Sequence, residues 1–91
     1  MSSATKTTDH DEIRKWVEAR GGRPSRVNAP GHKQGGGILR IDFDEPDERL
    51  EQMGWDEWFR TFDENGLAFL HQDETADGGQ SRFNKLVSRN D

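Results

Sequence analysis

Cysteine is absent from the 91 residues, which excludes disulfides, thiolate zinc sites and cysteine nucleophiles. A small secreted domain with few apolar residues usually needs such staples, so their absence points to a reducing cytoplasm. Long apolar runs are missing too. Nothing approaches the roughly 18 residues of a membrane span, and Met1–Thr8 is polar, without the apolar segment of a secretory leader. The expectation is a soluble, cytoplasmic protein with no membrane partner. Apolar residues are scarce altogether, 29% against 34% charged, and Leu, Ile, Val and Phe number 16. That is low enough for disorder to compete with folding. Three Trp and five Phe tip the balance toward a folded domain, because each ring buries a large apolar area. A chain this short excludes barrel and doubly wound enzyme scaffolds and accommodates one domain.

The net charge of −5 hides a strong asymmetry. Residues 13–40 carry Arg14, Lys15, Arg20, Arg23, Arg26, Lys33 and Arg40 against Glu18 alone, whereas residues 41–80 carry 13 acids against Arg49 and Arg60. Either the two halves attract each other across the fold, or the basic half meets a polyanion. The same side chains cannot do both fully.

Residues 1–7 are Ser/Thr-rich with nothing to bury and are expected to be disordered. Asp9 with Glu12 three residues on forms a capping-box pattern, and Ile13, Trp16 and Val17 make one apolar stripe, predicting a helix over 9–20. Gly21-Gly22 supplies a left-handed stop, with Pro24 beyond it. Arg23–Val27 then leads into a Gly-rich loop over 28–37, read as flexible. Leu39, Ile41 and Phe43 alternate with Arg40 and Asp42, predicting a strand over Ile38–Phe43. Asp44–Glu48 reads as a turn and Arg49–Met53 as a short strand. Trp55, Trp58, Phe59 and Phe62 form the stripe of a second helix ending at Asn65-Gly66. Leu67–His71 suits a buried strand, and Asp73–Gln80 an acidic turn. Phe83, Leu86 and Val87 fall at helical spacing and favour a third helix capped by Ser81, with a strand paired back onto Leu67–His71 as the rival. The whole is a small single α+β domain over 8–89, two or three helices packed on a short, mainly antiparallel sheet, with 90–91 as a tail.

Chemistry-bearing patterns are sparse. Among 18 acids, neighbouring carboxylates arise by chance. His10, His32 and His71 lie in separate segments without metal-ligand spacing. His10 sits in a helix first turn, where a surface role is favoured; His71 ends an apolar strand and suits a satisfied, partly buried position. Asp73, Thr75, Asp77 and Gly78 match part of a calcium loop, but Asn84 stands where the bidentate Glu is required. Gly35–Gly37 lacks the Lys-Ser/Thr of a phosphate loop. The sequence therefore predicts no catalytic residue, no metal site and no cofactor.

Several stretches resemble a family of small, uncharacterised bacterial proteins: Thr7-Thr8-Asp9-His10-Asp11-Glu12-Ile13-Arg14, Arg20-Gly21-Gly22-Arg23-Pro24, Trp55-Asp56-Glu57-Trp58-Phe59 and Ser81-Arg82-Phe83-Asn84-Lys85-Leu86-Val87-Ser88-Arg89. The resemblance covers most of 7–89 and is weakest over His32–Gly37. It implies a bacterial, cytoplasmic, stand-alone domain. Some members carry the label 1,4-alpha-glucan branching enzyme, but that transferase chemistry belongs to large barrels. The resemblance transfers no catalytic residue.

The expected function is a non-enzymatic protein-binding or adaptor module, monomeric by default, with Arg20, Arg23, Arg26 and Lys33 around the glycine loop as its binding surface. The alternative is a nucleic-acid-associated protein using residues 14–40 against phosphates. A helix stop with solvating charges accounts for Arg20–Pro24 equally well.

Overall fold

Asp9 starts the first helix as its spacing predicts: the Glu12 N–H donates to Asp9 Oδ1 at 3.0 Å. The computed structural model describes residues 4–27, 39–45 and 47–90. Their elements run β1 (Thr5–Thr7), α1 (His10–Glu18), β2 (Gly22–Val27), β3 (Leu39–Phe43), β4 (Leu50–Gln52), α2 (Trp55–Glu64), β5 (Leu67–His71) and β6 (Asn84–Ser88). Two antiparallel three-stranded sheets result, ordered β1-β5-β6 and β3-β2-β4. This is a small α+β domain, with two sheets in place of the single one expected. The loop 28–37, including Lys33, lies outside the described residues.

Three segments differ from expectation. The lead over 1–7, expected to be disordered, contributes β1, whose Thr5, Lys6 and Thr7 lie opposite His71, Leu70 and Phe69. An edge strand is held by its backbone and needs little side-chain burial. Thr7 adds a local reason: its hydroxyl accepts the Asp9 N–H at 3.0 Å and donates to Glu12 at 3.1 Å.

Arg23–Val27 is not a lead into a loop but most of β2, the central strand of its sheet. Pro24, read as confirming the helix stop, sits inside that strand. Its carbonyl accepts the Met53 N–H at 3.0 Å, just beyond the end of β4, so its missing donor falls where the ladder has finished. Gly21 does supply the left-handed turn, at φ 71°. Gly22 serves a different purpose: a Cβ there would lie 2.9 Å from side-chain atoms of Val17, Ile41 and Phe43, so only glycine lets β2 pass this close beneath α1.

The helix expected over Ser81–Arg89 is the strand β6, paired with β5 from Leu67↔Ser88 to His71↔Asn84. The helical spacing of Phe83, Leu86 and Val87 misleads because Phe83 is 47% exposed and contributes no stripe. Ser81 caps no helix; its buried Oγ accepts the N–H of Phe83 at 3.1 Å, turning the chain into β6.

The aromatic stripes build the core as read. Ile13, Trp16 and Val17 from α1 meet Trp58, Phe59 and Phe62 from α2 over Leu39, Ile41 and Phe69. Trp16 meets Phe43 of one sheet and Phe69 of the other edge-on, at 6.5 and 5.5 Å. Trp58 does likewise: its Nε1–H donates to the Arg40 carbonyl at 3.2 Å while its ring lies 6.4 Å from Phe69. Both indoles thus bridge the two sheets, which meet along β3 and β6. Asn65 and Gly66 end α2, Gly66 at φ 60°. No described helix is long and apolar enough to cross a membrane.

Candidate functional site

The arginines singled out by sequence are drawn into the fold. Arg20 lies 4.2 Å over the Trp16 ring and donates to three carbonyls, of Trp16, Ser81 and Asp73. Burial lowers its pKa against the opposing pull of Asp73, while leaving it cationic. Arg23 reaches Asp42 at 3.4 Å and the Asp44 carbonyl at 2.8 Å. Arg26 pairs with Glu51, its cross-strand neighbour, and lies 3.8 Å from Glu57 of α2. Because strand residues alternate, Arg23 and Arg26 point to opposite faces of β2. Arg23 and Arg26 are thus set against carboxylates of the acidic half and Arg20 against backbone carbonyls, rather than side by side on one basic surface.

The two described histidines act as fasteners. His71 is 4% exposed, with Nε2 3.1 Å from Glu12 Oε2 and Nδ1 3.3 Å from Asp73 Oδ1 but poorly aligned for a hydrogen bond. It ties β5 to α1 beside Trp16. His10 stacks on Phe59 at 4.1 Å and lies 3.0 Å from Asp63, tying α1 to α2. Asp63 also accepts from Arg89 at 3.1 Å. Burial raises its pKa, but the His10 and Arg89 hydrogen bonds outweigh that and hold the carboxyl below the usual range. In the acidic turn Asp77 accepts from the Thr75 hydroxyl and the Gly79 N–H, and those bonds lower its pKa as well. Among the described residues no group of His, Asp and Glu could hold a metal ion.

The most distinctive surface lies where sequence reasoning did not look, at the junction of β3 and β6. Asp44, just after β3, accepts two hydrogen bonds from Arg82, just before β6. The Arg82 guanidinium also lies 5.3 Å over the Phe43 ring. The Arg82 hydrogen bond is the main reason the Asp44 carboxyl titrates below the usual range. This pair pins the two edge strands at one end. At the other end lies a groove of about 450 Å³, lined by Leu39, Arg40, Asn65, Leu67 and every residue of β6. The described residues of its lining include two cations and no carboxylate, on a chain of net charge −5. A second hollow of about 370 Å³, lined by Val27, Arg40, Asp47, Arg49 and Leu50, contains the Arg49–Asp47 ion pair at 3.0 Å.

The sequence carried no sign of this groove, because it forms between strands 40 residues apart in order and one of them reads as a helix. No family model matches the chain, and no curated protein or solved structure is found to be similar to it.

Proposed function

We propose that the chain is a non-enzymatic protein-binding module whose contact surface is the groove between β3 and β6 rather than the Arg20–Arg26 segment. The observation that carries this reading is the groove's lining: half-buried Leu67, Leu86 and Val87 beside Arg40 and Lys85, with no carboxylate among the described residues that line it. Interfaces combine an apolar centre with polar groups that set orientation in this way. The alternative, phosphate binding by residues 14–40, would require Arg20, Arg23 and Arg26 to leave Trp16, Asp42 and Glu51. That exchange has less in its favour.

A photo-reactive amino acid placed at Val87 or at Arg14, on the outer face of α1, tests the reading in cells that make the protein. A discrete protein adduct from position 87 alone, competed away by unmodified protein, is the expected outcome. Equal adducts from both positions would overturn it, as would salt-reversible nucleic-acid binding mapped to residues 14–26.

A further inference from the structure

We infer that Asn65, through the backbone nitrogen of Gly66, is a site of spontaneous deamidation, shut while the C-terminal cap of α2 is in place and open when the turn into β5 lets go. The chain contains a single Asn-Gly pair, whereas the residues after Asn28, Asn84 and Asn90 all carry a side chain. Deamidation begins with attack by the following backbone nitrogen on the carboxamide, and glycine leaves that nitrogen least hindered and its backbone freest to turn. The Gly66 nitrogen bonds to Cγ of Asn65, the Cγ–Nδ2 bond breaks, and the displaced amide proton leaves with Nδ2 as ammonia. Water then opens the cyclic imide at either carbonyl, giving aspartate or isoaspartate. Asn65 is exposed, so water and base reach it.

The folded domain keeps the two reacting groups apart. Asn65 Nδ2 donates to the Thr61 carbonyl at 2.8 Å, which turns the carboxamide back along α2. The Gly66 N–H donates to the Asp63 carbonyl at 3.0 Å, which occupies the nucleophile. With Asn65 at ψ 8°, the Gly66 nitrogen nearly eclipses the backbone nitrogen of Asn65, whereas ring closure needs it to eclipse Cβ. Arg89 locks this turn from the end of β6. Its N–H donates to the Gly66 carbonyl at 2.7 Å, its Nε to the Leu67 carbonyl at 2.9 Å and its guanidinium to Asp63 at 3.1 Å. Asp77-Gly78 offers a similar nitrogen but a poorer electrophile, because the Thr75 hydroxyl and the Gly79 N–H keep Asp77 ionised.

The products cannot restore the cap. An aspartate at this position has no donor for the Thr61 carbonyl and adds a third consecutive carboxylate, after Asp63 and Glu64, at the negative end of the α2 dipole. It also puts a carboxylate into the lining of the groove between β3 and β6, where the described residues hold none. Isoaspartate routes the backbone through the side chain and lengthens it by a methylene. The Gly66 bond to Asp63 and the Leu67↔Ser88 start of the β5–β6 ladder cannot then both be kept.

The whole protein, incubated in mildly alkaline buffer with and without unfolding urea and then mapped by peptide mass spectrometry, supplies the test. In the unfolded chain Asn65 should convert ahead of every other asparagine. In the native protein it should convert roughly tenfold or more slowly, since attack waits on local opening. Arg89→Gln should speed the native reaction and leave the unfolded one unchanged. Earlier conversion at Asn28, Asn84 or Asn90 would overturn the site, and equal native and unfolded rates would overturn the gate. An Arg89→Gln protein with a native amide spectrum and an unchanged native rate would remove Arg89 from the lock. The isoaspartyl form, separated by ion exchange, should melt below both the unmodified protein and Asn65→Asp; an unmoved midpoint would overturn the structural consequence.

Discussion

Glu12 Oε2 lies 3.1 Å from His71 Nε2, so one carboxylate joins the first turn of α1 to the last residue of β5. The same carboxylate accepts from the Thr7 hydroxyl beside β1. The capping box read from the sequence is thus half made: Glu12 gives its N–H to Asp9 but turns its side chain to the sheet, while Thr7 serves the Asp9 N–H. Glu12→Gln should therefore destabilise the domain by about 1–2 kcal/mol, the range for losing a charged partner of a buried polar group. With His71→Phe already in place the same substitution should cost measurably less. Urea unfolding of the four-member cycle gives the coupling, and a coupling of zero would refute it.

Arg20→Ala should be among the more damaging arginine substitutions. It removes a guanidinium stacked on Trp16 and bonded to three carbonyls, and a loss of about 2 kcal/mol is expected. Arg14→Ala, which breaks only an exposed pair with Glu18 within α1, should cost under about 0.5 kcal/mol. Parallel denaturant curves check the contrast; equal losses would place Arg20 on the surface.

Asp44 makes stability depend on pH in a defined direction. Its folded carboxyl is held below the usual range, first by the Arg82 hydrogen bond. A depressed carboxylate contributes stability that is present above its unfolded pKa and lost as pH falls through its folded value. The domain should accordingly weaken on acidification below the usual carboxylate range. Arg82→Met should raise the Asp44 titration midpoint, read from its carboxyl carbon by NMR, and flatten that part of the stability profile. An unmoved midpoint would show that Arg82 does not set it.

The adjacent glycines should fail for different reasons. Gly21→Ala puts a side chain at φ 71° with nothing within 4 Å, a backbone penalty of about 1 kcal/mol. Gly22→Ala instead drives a Cβ into Val17, Ile41 and Phe43, an overpacking cost of about 1–3 kcal/mol. Val17→Ala should partly rescue Gly22→Ala and leave Gly21→Ala unimproved, which thermal unfolding of the pairs resolves.

Elements announced by aromatic periodicity were legible. Trp16 and the Trp55–Phe62 stripe predicted both helices, and Leu39, Ile41 and Phe43 a strand, because burial of one face dictates spacing. What escaped notice is held by backbone pairing or by charge. Gly22–Val27 contains one aliphatic residue, at its end, and a proline, so nothing local announces the centre of a sheet. Asn84–Ser88 depends on β5 for its state, and the pairing partner is invisible to a window along the chain. The basic segment could be read as free or as engaged, and only the register that sets Arg23 beside Asp42 and Arg26 beside Glu51 decides between them. The groove inherits both blind spots, since it lies between a strand with a clear pattern and one without.

The two sheets share indoles rather than a backbone ladder, and that difference has a mechanical side. Hydrogen-bonded strands keep a spacing fixed to a few tenths of an ångström, whereas ring contacts hold over a broader range of separations. The distance between β3 and β6 at the open end is therefore less tightly fixed than the strand spacings within either sheet, and the groove volume can change with it. Hydrostatic pressure, which favours states with less void, should shift the amides of Leu39, Arg40 and β6 before those of β2, with the Arg82–Asp44 end moving least.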